Sequence, residues 1–385
     1  MGVCLGTMTR APRPQLKPAR PWFSSGPTAK PPGWRMQDLS SDLMGRNIRA
    51  PEVLARFDHA HALTRQVLEI PADHALCFLP ASDTGAVEAA LWNLLGERPV
   101  QVLAYDNFGQ LWASDVRDHL GLEAEVISAP YGDLPDLARV RPDHDLVFAW
   151  NGTTSGVRVP DAAFIAPDRS GLAICDATSA AFCMPLDWGR LDVVTFSFQK
   201  ALGGDAGIGA LVLSPRAIAR LDRYVPDRPI PKILRLRGSD GFDRKLATGA
   251  PINTYSILTL EDWIAALAWA HEIGGLEALI RRTRSNFEAL SAWIGTTPWI
   301  DFLAHDPACR SETSVCLGFL DPKVATREFV GRFCALLAEQ GVAFDIEAHR
   351  AAPPGLRIWC GATVETADIA ALGPWLDWAW SELTG

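Results

Sequence analysis

LAICDATSAAFCMPLDWGRLDVVTFSFQK, residues 172–200, carries the pattern that decides the fold. It holds two short, almost uniformly apolar runs, 172–176 and 193–197, each ending on a polar residue. Runs of five residues that are apolar on both alternations suit strands covered on both faces of a sheet. The same kind of run recurs upstream at 75–79, 101–105, 125–128 and 145–150, and downstream at 208–213. Helical patterns separate them, such as GAVEAALWNLL at 85–95 and the stretch 110–119. Strand alternating with helix predicts an α/β domain built on a doubly wound, mostly parallel sheet. After about residue 256 the pattern changes. Long helical stretches at 257–273 and 275–295 are followed by strand candidates at 314–319 and 356–359, with helices near 326–340 and 366–383. Helices gathered beside a few strands predict a smaller C-terminal α+β domain. The expected division is an N-terminal flexible arm over 1–20, a large domain over 21–262 and a small domain over 263–385.

Composition narrows the function. Asp and Glu outnumber Lys and Arg by 45 to 36, a net charge of −9, which argues against a nucleic-acid partner because a polyanion needs a basic surface. The eight cysteines form no CxxC pair and no cluster with histidine, so no metal site and no disulfide framework is expected; they read as buried thiols of a reducing compartment. No apolar run approaches the roughly 18 residues of a membrane span, and the start MGVCLGTMTR lacks both a signal-peptide core and a complete myristoylation signal. Met8 is an alternative initiator, and the cytoplasm is the expected compartment.

The chemistry centres on Asp176 and Lys200. Their separation is 200 − 176 = 24 residues, with an acid closing one strand and a lysine following the next. In open α/β sheets, ligands gather outside the carboxyl ends of the strands, so both side chains are expected at one crevice. An enzyme using pyridoxal 5′-phosphate needs this pair. The lysine amine carries the cofactor as a Schiff base and then moves the substrate proton, while the aspartate keeps the ring nitrogen protonated. Taken singly, Asp176 also reads as a turn acid and Lys200 as a surface lysine; their joint placement favours the site. PASDTGAVE at 80–88 follows a strand and opens a helix, where Ser82, Thr84 and free N–H groups suit a phosphate. An ordinary helix cap has the same signature, and Asp83 is expected to point away from an anion. In WNGTTSGVRVP at 150–160, Thr153 suits a bond to the cofactor's phenolic oxygen, or a plain turn. Phe108 is placed to stack on the ring, with Trp112 as a competitor and a core position as the alternative.

Together, SSGP (24–27), PASDTGAVE (80–88), WNGTTSGVRVP (150–160), ICDATSAAF (174–182), FSFQKALGG (196–204), INTYS (252–256) and PPGLRIWCGATVE (353–365) resemble the phosphoserine aminotransferases. The similarity is to the branch typical of alphaproteobacteria, within the class V, fold-type I aminotransferases, and it runs from about residue 17 to 380. It implies the fold-type I PLP-dependent transferase architecture, pyridoxal 5′-phosphate on Lys200, and Asp176 as partner of the pyridinium. It further implies Thr153 on the cofactor's O3′, Ser82, Thr84 and Gln199 at the phosphate with Ser197 close to them, Asp83 among the cofactor-binding residues, and Phe108 on the ring. Asn253 and Thr254 are implied to reach the cofactor of the other subunit in a homodimer with shared active sites. Arg357 matches the clamp on the substrate α-carboxylate, and Arg49, His349 and Arg350 match the surroundings of the substrate's phosphate.

The implied reaction is transamination of 3-phosphoserine with 2-oxoglutarate, giving 3-phosphohydroxypyruvate and glutamate in serine biosynthesis. Two positions depart from the family. Ile48 precedes Arg49 where the family reads His-Arg, and Ile208 stands where relatives carry histidine; both weaken the expected anion pocket. A class V aminotransferase using serine or alanine with glyoxylate or pyruvate is therefore the alternative. A PLP lyase of the cysteine desulfurase kind needs a catalytic cysteine in a mobile loop, which the sequence does not offer. A non-catalytic relative is disfavoured by the retention of Lys200 with Asp176.

Overall fold

The computed structural model describes residues 12–385. Seven strands form the main sheet: β1 (Ala75–Pro80), β2 (Val100–Ala104), β3 (Ala124–Ser128), β4 (Asp145–Ala149), β5 (Ala173–Asp176), β6 (Val193–Ser197) and β7 (Ile208–Leu213). Their spatial order is β1-β7-β6-β5-β4-β2-β3. Only β7 runs against the others, pairing antiparallel with β1 and β6, so the sheet is mostly parallel as expected.

Side-chain alternation explains why every strand is apolar throughout. Leu76, Phe78, Phe148, Cys175, Phe196 and Val212 enter one core, while Cys77, Leu79, Val147, Ile174, Val193 and Leu211 enter the core on the opposite face. The first core is covered by α1 (Pro51–Val67) and α5 (Ile257–Glu272), the second by α2 (Ser82–Leu94), α3 (Asn107–Ser114) and α4 (Pro215–Arg223). At the amino-terminal end of β4, buried Asp145 pairs with Arg220, which also meets Glu97. Removing one partner of such a buried pair typically costs about 3–5 kcal/mol. The end opposite the site is thereby closed.

A second sheet of β8 (Ile300–Phe302), β9 (Ser314–Phe319) and β10 (Gly355–Trp359) is antiparallel and packs with α6 (Gly275–Ile294), α7 (Arg327–Glu339) and α8 (Thr366–Thr384) around a separate aromatic-rich core. Two expected boundaries change. The expected division at 262 falls inside α5, whose Leu260, Trp263, Ile264 and Leu267 all belong to the main core; the passage from one core to the other comes along α6, whose Leu279 packs in the main core and whose Leu290 and Ile294 pack in the C-terminal one. At the other end, Phe23 is buried in the C-terminal core, its carbonyl accepts from the Trp359 N–H at 3.0 Å, and Trp22 bridges to Phe344. Residues 12–20 also depart from a flexible arm. The Ala19 N–H donates to Asp368 at 2.6 Å, the Leu16 carbonyl accepts from Trp375, and Arg13 lies over the Trp375 and Trp378 rings. The Trp375 and Trp378 rings of α8 give this basic segment its binding surface. The earlier part of the arm, with Cys4 and Met8, lies outside the described residues.

Candidate active site

The turn from β1 into α2 is the least ordinary backbone in the fold. Ala81 and Ser82 both adopt left-handed conformations (φ 68° and 58°), and their N–H groups donate to the Gly207 carbonyl. Such conformations are costly without glycine and cluster at functional sites. The helix follows so closely that a Cβ on Gly85 would lie 2.0 Å from the Pro80 carbonyl oxygen. No side chain caps the helix, so the capping alternative for this motif is not realised and its amino terminus faces the crevice uncapped. The Ser82 hydroxyl instead accepts from the Gln199 amide.

The turn carrying Gln199 and Lys200 is held from below and from the side. Phe198 stacks on Trp263 of α5 at 4.1 Å and meets Phe78 edge-on. The Thr28 N–H donates to the Gln199 carbonyl at 3.0 Å, and the Lys200 amine donates to the Ser25 carbonyl at 2.8 Å. Gly26 has no side chain because a Cβ there would fall 2.3 Å from the Lys200 Nζ. The SSGP segment thus lies across the lysine.

One cavity of about 140 Å³ is lined by Ser82, Asp83, Thr84, Phe108, Thr153, Asp176, Gln199 and Lys200, all eight expected from the sequence. It is also lined by Trp112, the competitor of Phe108 for the ring, and by Asn151 and Thr178, to which sequence reading assigned no role. Trp112 donates its indole N–H to Asp176 Oδ2 at 3.0 Å and the Thr178 N–H donates to Oδ1 at 3.0 Å, so two donors fix the carboxylate. The Trp112 contact separates its role from that of Phe108: Trp112 orients the acid, and the ring of Phe108 lies beside His349. Thr153 donates to Ser179 at 2.8 Å, and Asn151 donates to the same hydroxyl. Polar neighbours of a strand end are not distinguishable by type in one sequence, which is why Asn151 and Thr178 escaped notice.

Burial, and then the Arg357 charge, lower the Lys200 pKa to about 8 against the opposing pull of Asp176 and Asp83. Arg357 projects from β10, has no ion pair among the described residues, and keeps a buried Nε without a partner. It lines a neighbouring groove with Ser24, Gly26 and Glu347. His349 has its pKa lowered by burial and by Arg357, Arg350, Arg327 and Lys200, which places four cations around the crevice mouth. Arg350 itself is exposed.

Other expected residues are not brought to the cavity within one chain. Arg49 is exposed on the approach to α1, Thr254 is exposed, and Asn253 lies nearby with a buried, unpartnered Oδ1. Ser197 is buried at the end of β6 with its hydroxyl unpartnered. Ile48 and Ile208 are both buried in the main core. These two departures sit in hydrophobic packing and do not line the cavity of their own chain.

A phosphorylated pyridine aldehyde fits this donor set. The Ser82 and Thr84 hydroxyls, the Gln199 amide and the uncapped first turn of α2 supply donors for its phosphate, and the same cavity presents the Lys200 amine and the Asp176 carboxylate.

The chain matches the family model for class V aminotransferases over residues 46–354. It is 45% identical to phosphoserine aminotransferase of Methanosarcina mazei, over 96% of this chain and 99% of that one. It is 30% identical to a putative phosphoserine aminotransferase of Mycolicibacterium vanbaalenii, over 94% and 96%. In fold it resembles the phosphoserine aminotransferase of Cytophaga hutchinsonii, with a TM-score of 0.79, 20% identity, and coverage of 93% and 98%. It also resembles alanine–glyoxylate aminotransferase of a Nostoc species, with a TM-score of 0.76, 20% identity, and coverage of 96% and 97%.

Proposed function

The chain belongs to the class V aminotransferases, enzymes that work through pyridoxal 5′-phosphate, and from that premise we propose that it transfers the amino group of 3-phosphoserine to 2-oxoglutarate. The observation that carries this reading is the placement of a partly buried amine with a lowered pKa, Lys200, next to a partly buried guanidinium without an ion pair among the described residues, Arg357, in the adjoining groove. The likeness to phosphoserine aminotransferase over nearly the whole chain supports the choice of donor.

Bound pyridoxal 5′-phosphate supplies a ring that accepts the electron pair released at the substrate Cα. Ser82, Thr84 and Gln199, with the first turn of α2, are assigned to hold its phosphate, and Thr153 its phenolic oxygen. Phe108 is assigned to its ring face. Asp176, fixed by Trp112 and Thr178, holds a proton at the ring nitrogen. Lys200 anchors the cofactor and then carries the proton to and from Cα. With a pKa near 8, roughly a tenth of such amines are neutral at pH 7, far more than for an ordinary lysine. Arg357 takes the α-carboxylate of donor and acceptor alike, because a planar guanidinium matches a carboxylate with two parallel bonds. His349 and Arg350, with Arg49 of a second subunit, are assigned to the distal phosphate or to the γ-carboxylate of glutamate.

The test is a comparison of phosphoserine, serine, alanine and aspartate as donors to 2-oxoglutarate, glyoxylate and pyruvate. Phosphoserine with 2-oxoglutarate should give the highest kcat/KM, and Arg350→Ala should impair phosphoserine far more than alanine. Preference for alanine or serine with glyoxylate or pyruvate would replace this reading with the alternative one.

The site is also assigned to a two-fold dimer. Asn253 and Thr254 lie off the cavity of their own chain, and the unpartnered Asn253 Oδ1 is suited to a group from outside it. In a closed dimer each site recurs twice. Mixing inactive Lys200→Ala protein with inactive Asn253→Asp/Thr254→Asp protein should restore activity in heterodimers, each carrying one intact composite site. No recovery after verified subunit exchange would count against shared sites. The cytoplasm is the compartment assigned; seven cysteines in the described residues are free thiols, and no helix there is long and apolar enough to cross a membrane.

A further inference from the structure

We propose that Asp83 is a positioning residue: its neutral carboxyl group donates a hydrogen bond to Asp176 and fixes that carboxylate toward the cofactor ring. The proposal rests on the reading that Asp176 faces the ring nitrogen.

Asp83 sits in the first turn of α2, beside the residues assigned to the cofactor phosphate, yet its side chain turns away from them. The left-handed backbone at Ala81 and Ser82 turns it inward, where it is 6% exposed. There it lies within hydrogen-bonding reach of Asp176, and both line the same cavity. Its Oδ2 accepts from the Thr195 hydroxyl at 3.3 Å, while its buried Oδ1 has no donor directed at it. The one nearby amine, Lys200, gives its hydrogen bond to the Ser25 carbonyl. Two neighbouring carboxyl groups on one small cavity, Asp83 buried and Asp176 partly buried, without a cation bonded between them, do not both ionise. A single shared proton satisfies the open oxygen and removes the repulsion.

The donor sets decide where that proton resides. Asp176 receives an indole N–H and a backbone N–H, both at 3.0 Å, which stabilise a negative charge. Asp83 faces only hydroxyl donors, Thr195 at 3.3 Å and the nearby Thr178, with no N–H directed at it. Burial and the neighbouring Asp176 charge accordingly push the Asp83 carboxyl well above the usual carboxylate range. The helix terminus favours a charged acid at this position, but that influence is small beside burial against a second carboxylate. Of the other titratable groups facing the pair, Cys175 and Tyr105 are buried with raised pKa values and stay neutral. Asp106 is raised to about 6, and Lys200 with Arg357 behind it is the positive side of the cavity. Asp83 thus plays the part of a fixed donor, as a buried asparagine would.

The experiment combines infrared spectroscopy of protein labelled with ¹³C-aspartate and kinetics of two variants. Wild-type protein, with and without cofactor, should show the carbonyl band of a protonated carboxylic acid at neutral pH, and Asp83→Asn should lack it. Asp83→Ala should lower kcat by roughly ten- to a hundredfold with little change in the KM for phosphoserine. Asp83→Asn, whose amide donates from the same place, should recover most of that loss. Absence of the band in the wild type, or an Asn variant no better than Ala, would overturn the proposal. If Asp83→Ala fails to fold, the infrared comparison with Asp83→Asn still decides. A wild type that binds no pyridoxal 5′-phosphate would instead count against the aminotransferase reading, since the band in cofactor-free protein is read independently.

Discussion

Lys200→Ala should lower kcat by about 10²- to 10⁴-fold, the range expected when a positioned proton carrier is removed, and should also abolish covalent retention of the cofactor. The fold should survive. Lys200 contributes one hydrogen bond to the Ser25 carbonyl, and its removal relieves a buried amine whose charged form is disfavoured. The turn that carries it is held by Phe198 on Trp263 and by Thr28, neither of which the substitution touches. Unchanged circular dichroism with lost single-turnover proton transfer is the expected pair of results. Retained proton transfer would show that another base acts.

The second large effect is expected at Arg357. Loss of a charge-assisted two-bond contact costs on the order of 2–3 kcal/mol, equivalent to roughly 30- to 150-fold in kcat/KM. Both amino donor and keto acceptor present an α-carboxylate, so Arg357→Ala should impair the two half-reactions alike. Arg357→Lys should recover only part, since an ammonium cannot reproduce the planar fork. Steady-state kinetics with donor and acceptor varied in turn measure this. An effect confined to one substrate would assign Arg357 to the distal pocket.

The fold was legible where local pattern and tertiary role coincide. Each central strand is buried on both faces, so its uniform apolarity announced it, and 193–197 and 208–213 match β6 and β7 residue for residue. The antiparallel course of β7 was not legible, because direction is set by how the chain returns and leaves no trace in hydropathy. Helix α1 went unassigned for a different reason. Its buried face is Val53, Phe57, Ala60, Thr64 and Val67, correctly spaced but diluted by small and polar members.

The site shows the same division. Lys200, Asp176 and the 80–88 motif could be found because strand ends and helix starts are marked by sequence, and the sheet brings them to one cavity. The placement of Phe23 beside Trp359, and of Gly26 against Lys200, joins segments far apart in the chain through packing that no local pattern encodes. Ile48 and Ile208 are a second case. Both are packed in the main core of their own chain, a placement that the sequence pattern did not indicate. Asp83 is a third case: its type was visible, but its partner was not, because the turn that directs it inward depends on two non-glycine residues in left-handed conformations.

The most direct test of the central assignment is borohydride reduction of the holoenzyme followed by peptide mapping. The visible cofactor absorbance should disappear, and a pyridoxyl group should be recovered on the peptide that contains Lys200. A pyridoxyl group on any other lysine, or none on the protein at all, would contradict the assignment.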